Sequence, residues 1–198
     1  MRIIAGTYKG RPLVSVRDRS VRPTTGRAKK TIFDILQHRI DFSGKSVLDL
    51  FAGSGSLGLE ALSRGAESVV FVENSSRSIA VLEKNIRALN CESQCTVYRA
   101  DVFWFLKTYR RTFDVIFVDP PYTLETLGLL PGAIGNSNVI RPNTYVVMEH
   151  SKETPVDIPA ESFEVIRKPF GQTMVLILRF RVSPPVPSTH RDTLKESV

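Results

Sequence analysis

The sequence predicts an α/β protein with an open, Rossmann-like sheet, and three stretches carry that expectation. Residues 45–51 read as the first strand of the main sheet, which passes into Ala52-Gly53-Ser54-Gly55-Ser56-Leu57-Gly58. Gly53, Gly55 and Gly58 thus place a G-x-G-x-x-G turn between a strand and a helix, the context a nucleotide-binding turn requires. Residues 68–72 form an apolar run that ends at Glu73. That acid lies about 20 residues beyond Gly53, where a carboxylate can reach ribose hydroxyls. Residues 113–118, rich in β-branched and aromatic side chains, end at Asp119-Pro120-Pro121-Tyr122. Two prolines cannot continue a strand, so the chain leaves the sheet there, at the carboxyl edge where open α/β sheets bind ligands.

Taken in order, residues 1–16 read as a hairpin, with apolar runs at 3–4 and 13–16 flanking a turn that holds Gly6 and Gly10. Lys9, Arg11 and Tyr8 sit near its tip, and residues 17–22 form a basic loop. A helix follows, capped by Thr24 or Thr25, with Ile32, Ile35, Leu36 and Ile40 on one face. Arg27, Lys29 and Lys30 crowd its first turns, where cations oppose the helix dipole; a bound phosphate is one reason to keep them there.

After the glycine turn comes a short helix through Leu62, then the strand ending at Glu73 and a helix over 75–90 marked by Ile79, Leu82, Ile86 and Leu89. Residues 94–99 read as a strand. Asp101 follows it, either accepting from an adenine amine or capping the helix over 103–109. Trp104 and its phenylalanine neighbours are expected in the core. Residues 124–134 read as a helix and 145–150 as a strand, with His150 in a structural role. Residues 163–168 and 173–180 are joined by only four residues, too few for a crossover helix, so that pair is antiparallel. Pro184-Pro185-Val186-Pro187 and the polar run after it indicate a disordered tail.

The expected organisation is a basic arm over 1–21, a main domain over 22–181 and a tail over 182–198. The net charge of +7 is unevenly placed: residues 1–39 hold ten Lys/Arg against two acids, a net of +8, which leaves the remainder near neutral. Such a segment reads as a phosphate-backbone surface. No apolar run approaches the roughly 20 residues that span a bilayer, and the amino terminus has no signal-peptide pattern. Cys91 and Cys95 are the only thiols, which fits a reducing cytoplasm and makes a poor metal site, so no metal is expected.

The tetrad suits transfer to an exocyclic amine of a base. That nitrogen is a weak nucleophile because its lone pair is delocalised into the ring, and an acceptor set against its N–H favours attack. Asp119 supplies a carboxylate, Pro120 a carbonyl with no competing N–H, and Tyr122 a face on which a base can stack. The four residues resemble the DPPY motif of amino-group methyltransferases.

With Met1-Arg2-Ile3-Ile4-Ala5-Gly6, Arg22-Pro23-Thr24-Thr25, residues 49–66 and Val118 to Tyr122, the chain resembles the RsmD-type guanine-N2 methyltransferases of 16S ribosomal RNA over roughly residues 1–181. The resemblance implies a class I S-adenosylmethionine-dependent fold, with a mainly parallel seven-stranded sheet, an antiparallel edge and an amino-terminal hairpin extension. By position it implies a cofactor site lined by Asp49, Ala52, Gly53, Gly55, Glu73, Asn74, Asp101 and Val102. Asp119, Pro120, Pro121 and Tyr122 would hold the guanine amine. Lys9, Arg11, Arg22, Arg27, Lys29 and Lys30 would face the RNA. The implied partner is ribosomal RNA, alone or in an assembling small subunit, met by a cytoplasmic monomer. Gly26 and Lys30 stand where relatives commonly carry acids, and the tail after Arg181 is extra.

Three other readings compete. A DNA amino-methyltransferase would need a target-recognition domain, and no stretch is long enough for one. An NAD-dependent oxidoreductase fits the glycines but leaves the tetrad and the basic arm unexplained. A non-catalytic RNA-binding or assembly protein on the same fold would have no need of the intact tetrad and Glu73.

Overall fold

The central strands are nearly uninterrupted apolar runs because both faces of the sheet are covered. In the computed structural model, which describes residues 1–15, 26–121 and 124–181, seven strands form one sheet in the order β3–β2–β1–β4–β5–β7–β6. The strands are β1 (Ser46–Leu50), β2 (Ser68–Glu73), β3 (Cys95–Arg99), β4 (Val115–Val118), β5 (Tyr145–Ser151), β6 (Phe163–Phe170) and β7 (Thr173–Phe180). The first five run parallel, while β7 pairs antiparallel with both β5 and β6. The expected antiparallel last pair is therefore present, turning at Gly171, whose φ of 55° suits glycine.

Strand parity divides the core in two. Val47, Phe71, Phe117 and Val147 point to the face covered by α1 (Gly26–Leu36), α2 (Ser56–Ser63) and α3 (Ser76–Leu89), together with Ile3 and Leu13 of the arm. Leu48, Leu50, Ile116, Val118 and Met148 point to the face covered by α4 (Val102–Thr108) and α5 (Leu130–Gly135). The strand order reverses between β1 and β4, so the glycine turn after β1 and the tetrad after β4 emerge side by side at the sheet's switch point.

Several local expectations change. The arm has one antiparallel bridge, Arg2 to Pro12, rather than two full strands; Ile3 N–H donates to the Arg11 carbonyl and Leu13 N–H to that of Met1. Residues 124–134 do not form one helix. A 3₁₀ turn, Leu127–Leu129, precedes α5, which has a proline in its first turn and lasts six residues. Trp104 is 60% exposed rather than buried. In α4 the inward stripe is Val102, Phe105 and Leu106, at i, i+3 and i+4, which leaves position 104 facing out. No helix among the described residues is long and apolar enough to cross a membrane. The tail over 182–198, the loop over 17–22 and the caps Thr24 and Thr25 lie outside the described residues.

Candidate active site

Asp49 lies on β1, one residue before its end, and only 2% of it is exposed. Its Oδ2 accepts the Gly58 N–H of α2 at 2.9 Å. Burial pushes its carboxyl well above the usual range, against the Gly58 hydrogen bond, and the negative charges of Asp119 and Glu73 push the same way. Asp49 on β1 thus lies within electrostatic reach of both Glu73 on β2 and Asp119 beyond β4.

Glu73 closes the other side of the turn. Its Oε2 accepts the Gly53 N–H, and its Oε1 accepts from the amides of Asn74 and Ser75, each at 2.9 Å. A carboxylate has about four acceptor positions, so capacity remains on Oε2 for a further donor such as a sugar hydroxyl.

The three glycines serve different ends. Gly53 has φ of 56°, and a Cβ there would meet nothing nearer than 3.9 Å, so its face of the loop is open. A Cβ on Gly55 would lie 2.3 Å from Leu82 Cδ1, and one on Gly58 would lie 2.5 Å from Phe71 Cε1. Those two let the turn and α2 pack down on β2 and α3. Ala52 is buried and donates its N–H to the Val72 carbonyl, which ties the turn to β2. A narrow turn with an open face, flanked by a buried acid and a ribose-spaced acid, fits a nucleoside ligand that carries a positive charge.

At the outer end, Asp101 caps α4 by accepting the Trp104 N–H at 2.9 Å, so the capping role weighed for it is realised. Val102 is buried just behind it. Just after β4, Asp119 is half-buried and Pro120 buried, whereas Pro121 is exposed and its carbonyl accepts the Leu124 N–H at 3.0 Å. That leaves the chain turning away from the carboxyl edge of the sheet. Tyr122 lies outside the described residues.

Lys29 requires a correction. It does not face a solvent-borne phosphate: none of it is exposed, and its Nζ lies 3.0 Å from Glu60 Oε2 and 2.9 Å from the Arg2 carbonyl. Helix α2 is buried on every side, so its one acid must be paired inside the protein. Lys9 and Arg11 are exposed, with Arg11 Nη2 donating to the Ala88 carbonyl at 2.6 Å. Lys30 is exposed and pairs with Asp34 at 2.6 Å. Arg22 and the side chain of Arg27 lie outside the described residues.

His150 is buried at the end of β5, and burial lowers its pKa. Its strand parity is that of Met148, which sets it on the α4–α5 face, away from the face that Asp49 shares with Phe71 and Phe117. A cavity of about 520 Å³ lined by Gln37, Asp41, Phe42, Arg64 and neighbours lies near the amino end of β1, the end opposite the glycine turn.

The arm is fastened to α2 by residues that the sequence did not single out for a role. Glu60 accepts from the amides of Ile4 and Ala5 at 2.8 and 3.1 Å and from Arg64 Nε at 3.0 Å. Ser63 Oγ donates to the Ala5 carbonyl and accepts the Tyr8 N–H. The one available signal was an acid within an otherwise apolar helix.

The comparisons with known proteins agree with this arrangement. The family described as conserved hypothetical protein 95 matches residues 1–179. The ribosomal RNA small subunit methyltransferase D of Haemophilus influenzae is 38% identical over 162 residues, covering 80% of this chain and 83% of that protein. A solved structure of a hypothetical protein from Thermus thermophilus matches with a TM-score of 0.76 and 31% identity, over 92% of this chain and 99% of the other. The yhhF protein of Escherichia coli matches with a TM-score of 0.78 and 29% identity, over 91% and 98%. The sheet order, the buried acid at the switch point and a match that runs from the arm to the last strand place this chain, which has the class I S-adenosylmethionine-dependent methyltransferase fold, in the RsmD-type family.

Proposed function

We propose that the protein methylates the exocyclic N2 amine of a guanine in small-subunit ribosomal RNA, with S-adenosylmethionine as donor. The observation that carries this reading is that neighbouring parallel strands bring Asp49 and Asp119 to the same carboxyl edge: Asp49 on β1 pairs with Phe117, two residues before Asp119, and the Asp119 charge acts on the Asp49 carboxyl. A donor held over the glycine turn then lies beside the acceptor group held by the tetrad. The relatives' name supplies the RNA.

When bound, S-adenosylmethionine supplies an electrophilic methyl group on a sulfonium. Asp49, the Gly53 loop and Glu73 bind and orient the nucleoside, and the buried carboxylate favours a ligand of positive charge. Asn74, Asp101 and Val102 complete the wall on the β2 and β3 side. The target guanine leaves its stack so that its amine can reach a recessed site. Asp119 and the Pro120 carbonyl accept from that amine, which aims its lone pair at the methyl group, and Tyr122 stacks on the base. Once methylated, the nitrogen is acidic enough to release its proton to Asp119 or water. Lys9, Arg11 and Lys30, with Arg22 and Arg27, meet phosphates, whether the RNA is free or in an assembling particle.

The test is methyl transfer from labelled S-adenosylmethionine to small-subunit RNA from a strain lacking the family member, with the modified nucleoside identified by mass spectrometry. N2-methylguanosine at a single position is the expected product. Label on another base, on DNA, or nowhere would overturn the reading.

A further inference from the structure

Asn85 of α3 is 1% exposed and touches both the arm and the glycine turn. Its Oδ1 accepts the Val14 N–H at 2.8 Å, while its Nδ2 donates to the Val14 carbonyl and to the Ser54 carbonyl, each at 2.9 Å. Only one orientation of the amide serves all three contacts. Turned over, it would set its NH₂ against an N–H and its oxygen against two carbonyls. Ser54 lies between the two glycines of the turn, and Val14 is the last residue but one of the arm's described portion. The Val14 side chain is 43% exposed, so the backbone, not the side chain, carries the connection.

We propose that Asn85 is a positioning residue that links the arm to the glycine turn, so that RNA held by the arm and cofactor held by the turn strengthen each other's binding. This rests on the methyltransferase reading above. Glu60 and Ser63 dock the arm on α2, which starts at the turn, and Asn85 fastens the arm to the turn's backbone directly. When the arm lifts, Asn85 loses its Val14 contacts and its hold on Ser54 loosens. RNA that keeps the arm seated removes that fluctuation, so the turn costs less to order around the cofactor. Linkage then requires cofactor to tighten RNA by the same factor, and such factors commonly run from about 5 to 150.

The test uses the full chain and two substitutions. Val14→Pro removes the N–H that Asn85 accepts, at an exposed position; it also fixes φ there and restricts Leu13 to extended backbone, so retention of the melting transition is measured alongside. Asn85→Asp keeps the acceptor for the Val14 N–H but sets an oxygen against both the Val14 and the Ser54 carbonyls. Binding of labelled S-adenosylhomocysteine is measured by equilibrium dialysis, with and without small-subunit RNA. Amide exchange at Gly53 and Gly55 is measured in the ligand-free protein.

RNA should tighten S-adenosylhomocysteine about fivefold or more in the parent chain and about twofold or less in either variant. Exchange at the two glycines should quicken about tenfold in Val14→Pro, with the melting transition retained. An RNA effect of equal size in all three proteins, or unchanged glycine exchange in folded Val14→Pro, overturns the coupling. Failure of the parent chain to bind S-adenosylhomocysteine at all would instead sink the methyltransferase reading, and the exchange measurement would still decide the link.

Discussion

The Lys29 ammonium lies 3.0 Å from Glu60 Oε2, with both side chains wholly shielded from solvent. Burial lowers the lysine's pKa, and the Glu60 charge opposes that shift. Removing one member of a buried pair leaves the other charge uncompensated, at a cost of about 3–5 kcal/mol. Lys29→Met should fall near the lower end, because Glu60 keeps Arg64 and two backbone amides. Urea unfolding at neutral pH reads this directly. A variant that kept full stability and lost only RNA affinity would return Lys29 to the RNA surface.

Gly6 presses on the same joint. Its φ is 80°, and a Cβ there would lie 1.7 Å from the Ser63 carbonyl oxygen, which accepts the Thr7 N–H at 2.7 Å. Gly6→Ala therefore clashes with backbone that cannot move without releasing α2, and it also strains a left-handed position. The variant should lose about 1–3 kcal/mol from the backbone conformation alone, and methylation of RNA should fall further than S-adenosylhomocysteine binding does. Equal losses in the two assays would mean that the arm has no separate part in holding RNA.

Much of the fold could be read from the chain because its strands are apolar runs closed by chemically marked ends: Gly53, Glu73 and the prolines after Asp119. Each marks the carboxyl end of a parallel strand, so fold and candidate site were visible together. Lys29 was misread because a lysine in the first turn of a helix looks solvated. Its partner is 31 positions away in another helix, and although an acid in that mostly apolar helix is a signal, nothing local says which cation answers it. Trp104 was misjudged because a run of aromatics gives no phase; only the positions of Val102 and Phe105 against the sheet set which side faces in. Asn85 was passed over for a related reason, since a polar residue on an amphipathic helix is ordinarily on its wet face, and here both of its partners are backbone groups of distant segments.

Asp49 predicts a pH dependence. Its carboxyl is held above the ordinary value, so the native state binds more protons than the unfolded state across that interval. Its contribution to stability is complete below the unfolded-state pKa of about 3.9 and is lost as pH rises through the raised native value. Asp49→Asn keeps an oxygen for the Gly58 N–H and removes the titration. Relative to the parent chain it should therefore gain melting temperature progressively from acidic to neutral pH, while its affinity for S-adenosylmethionine falls. A constant difference in melting temperature across that range would show that Asp49 does not carry the shift.

Asp119 and Tyr122 separate the chemical step from cofactor binding. Asp119 stands at the end of β4, half-buried, in the electrostatic reach of Asp49 but one strand away from the glycine turn. If its carboxylate accepts from the guanine amine as the methyl group arrives, Asp119→Ala should lower kcat by about 10²–10⁴-fold, the scale of a positioned proton acceptor. Affinity for S-adenosylhomocysteine should change little. Tyr122→Phe keeps the ring that stacks on the flipped base and should be mild, whereas Tyr122→Ala should lose about 1–3 kcal/mol of base stacking and methylate far more slowly. Single-turnover methylation under saturating cofactor distinguishes the two parts of the tyrosine. Equal damage from Phe and Ala would assign the work to the hydroxyl, and the tetrad would then hold its base by a hydrogen bond rather than by its ring face.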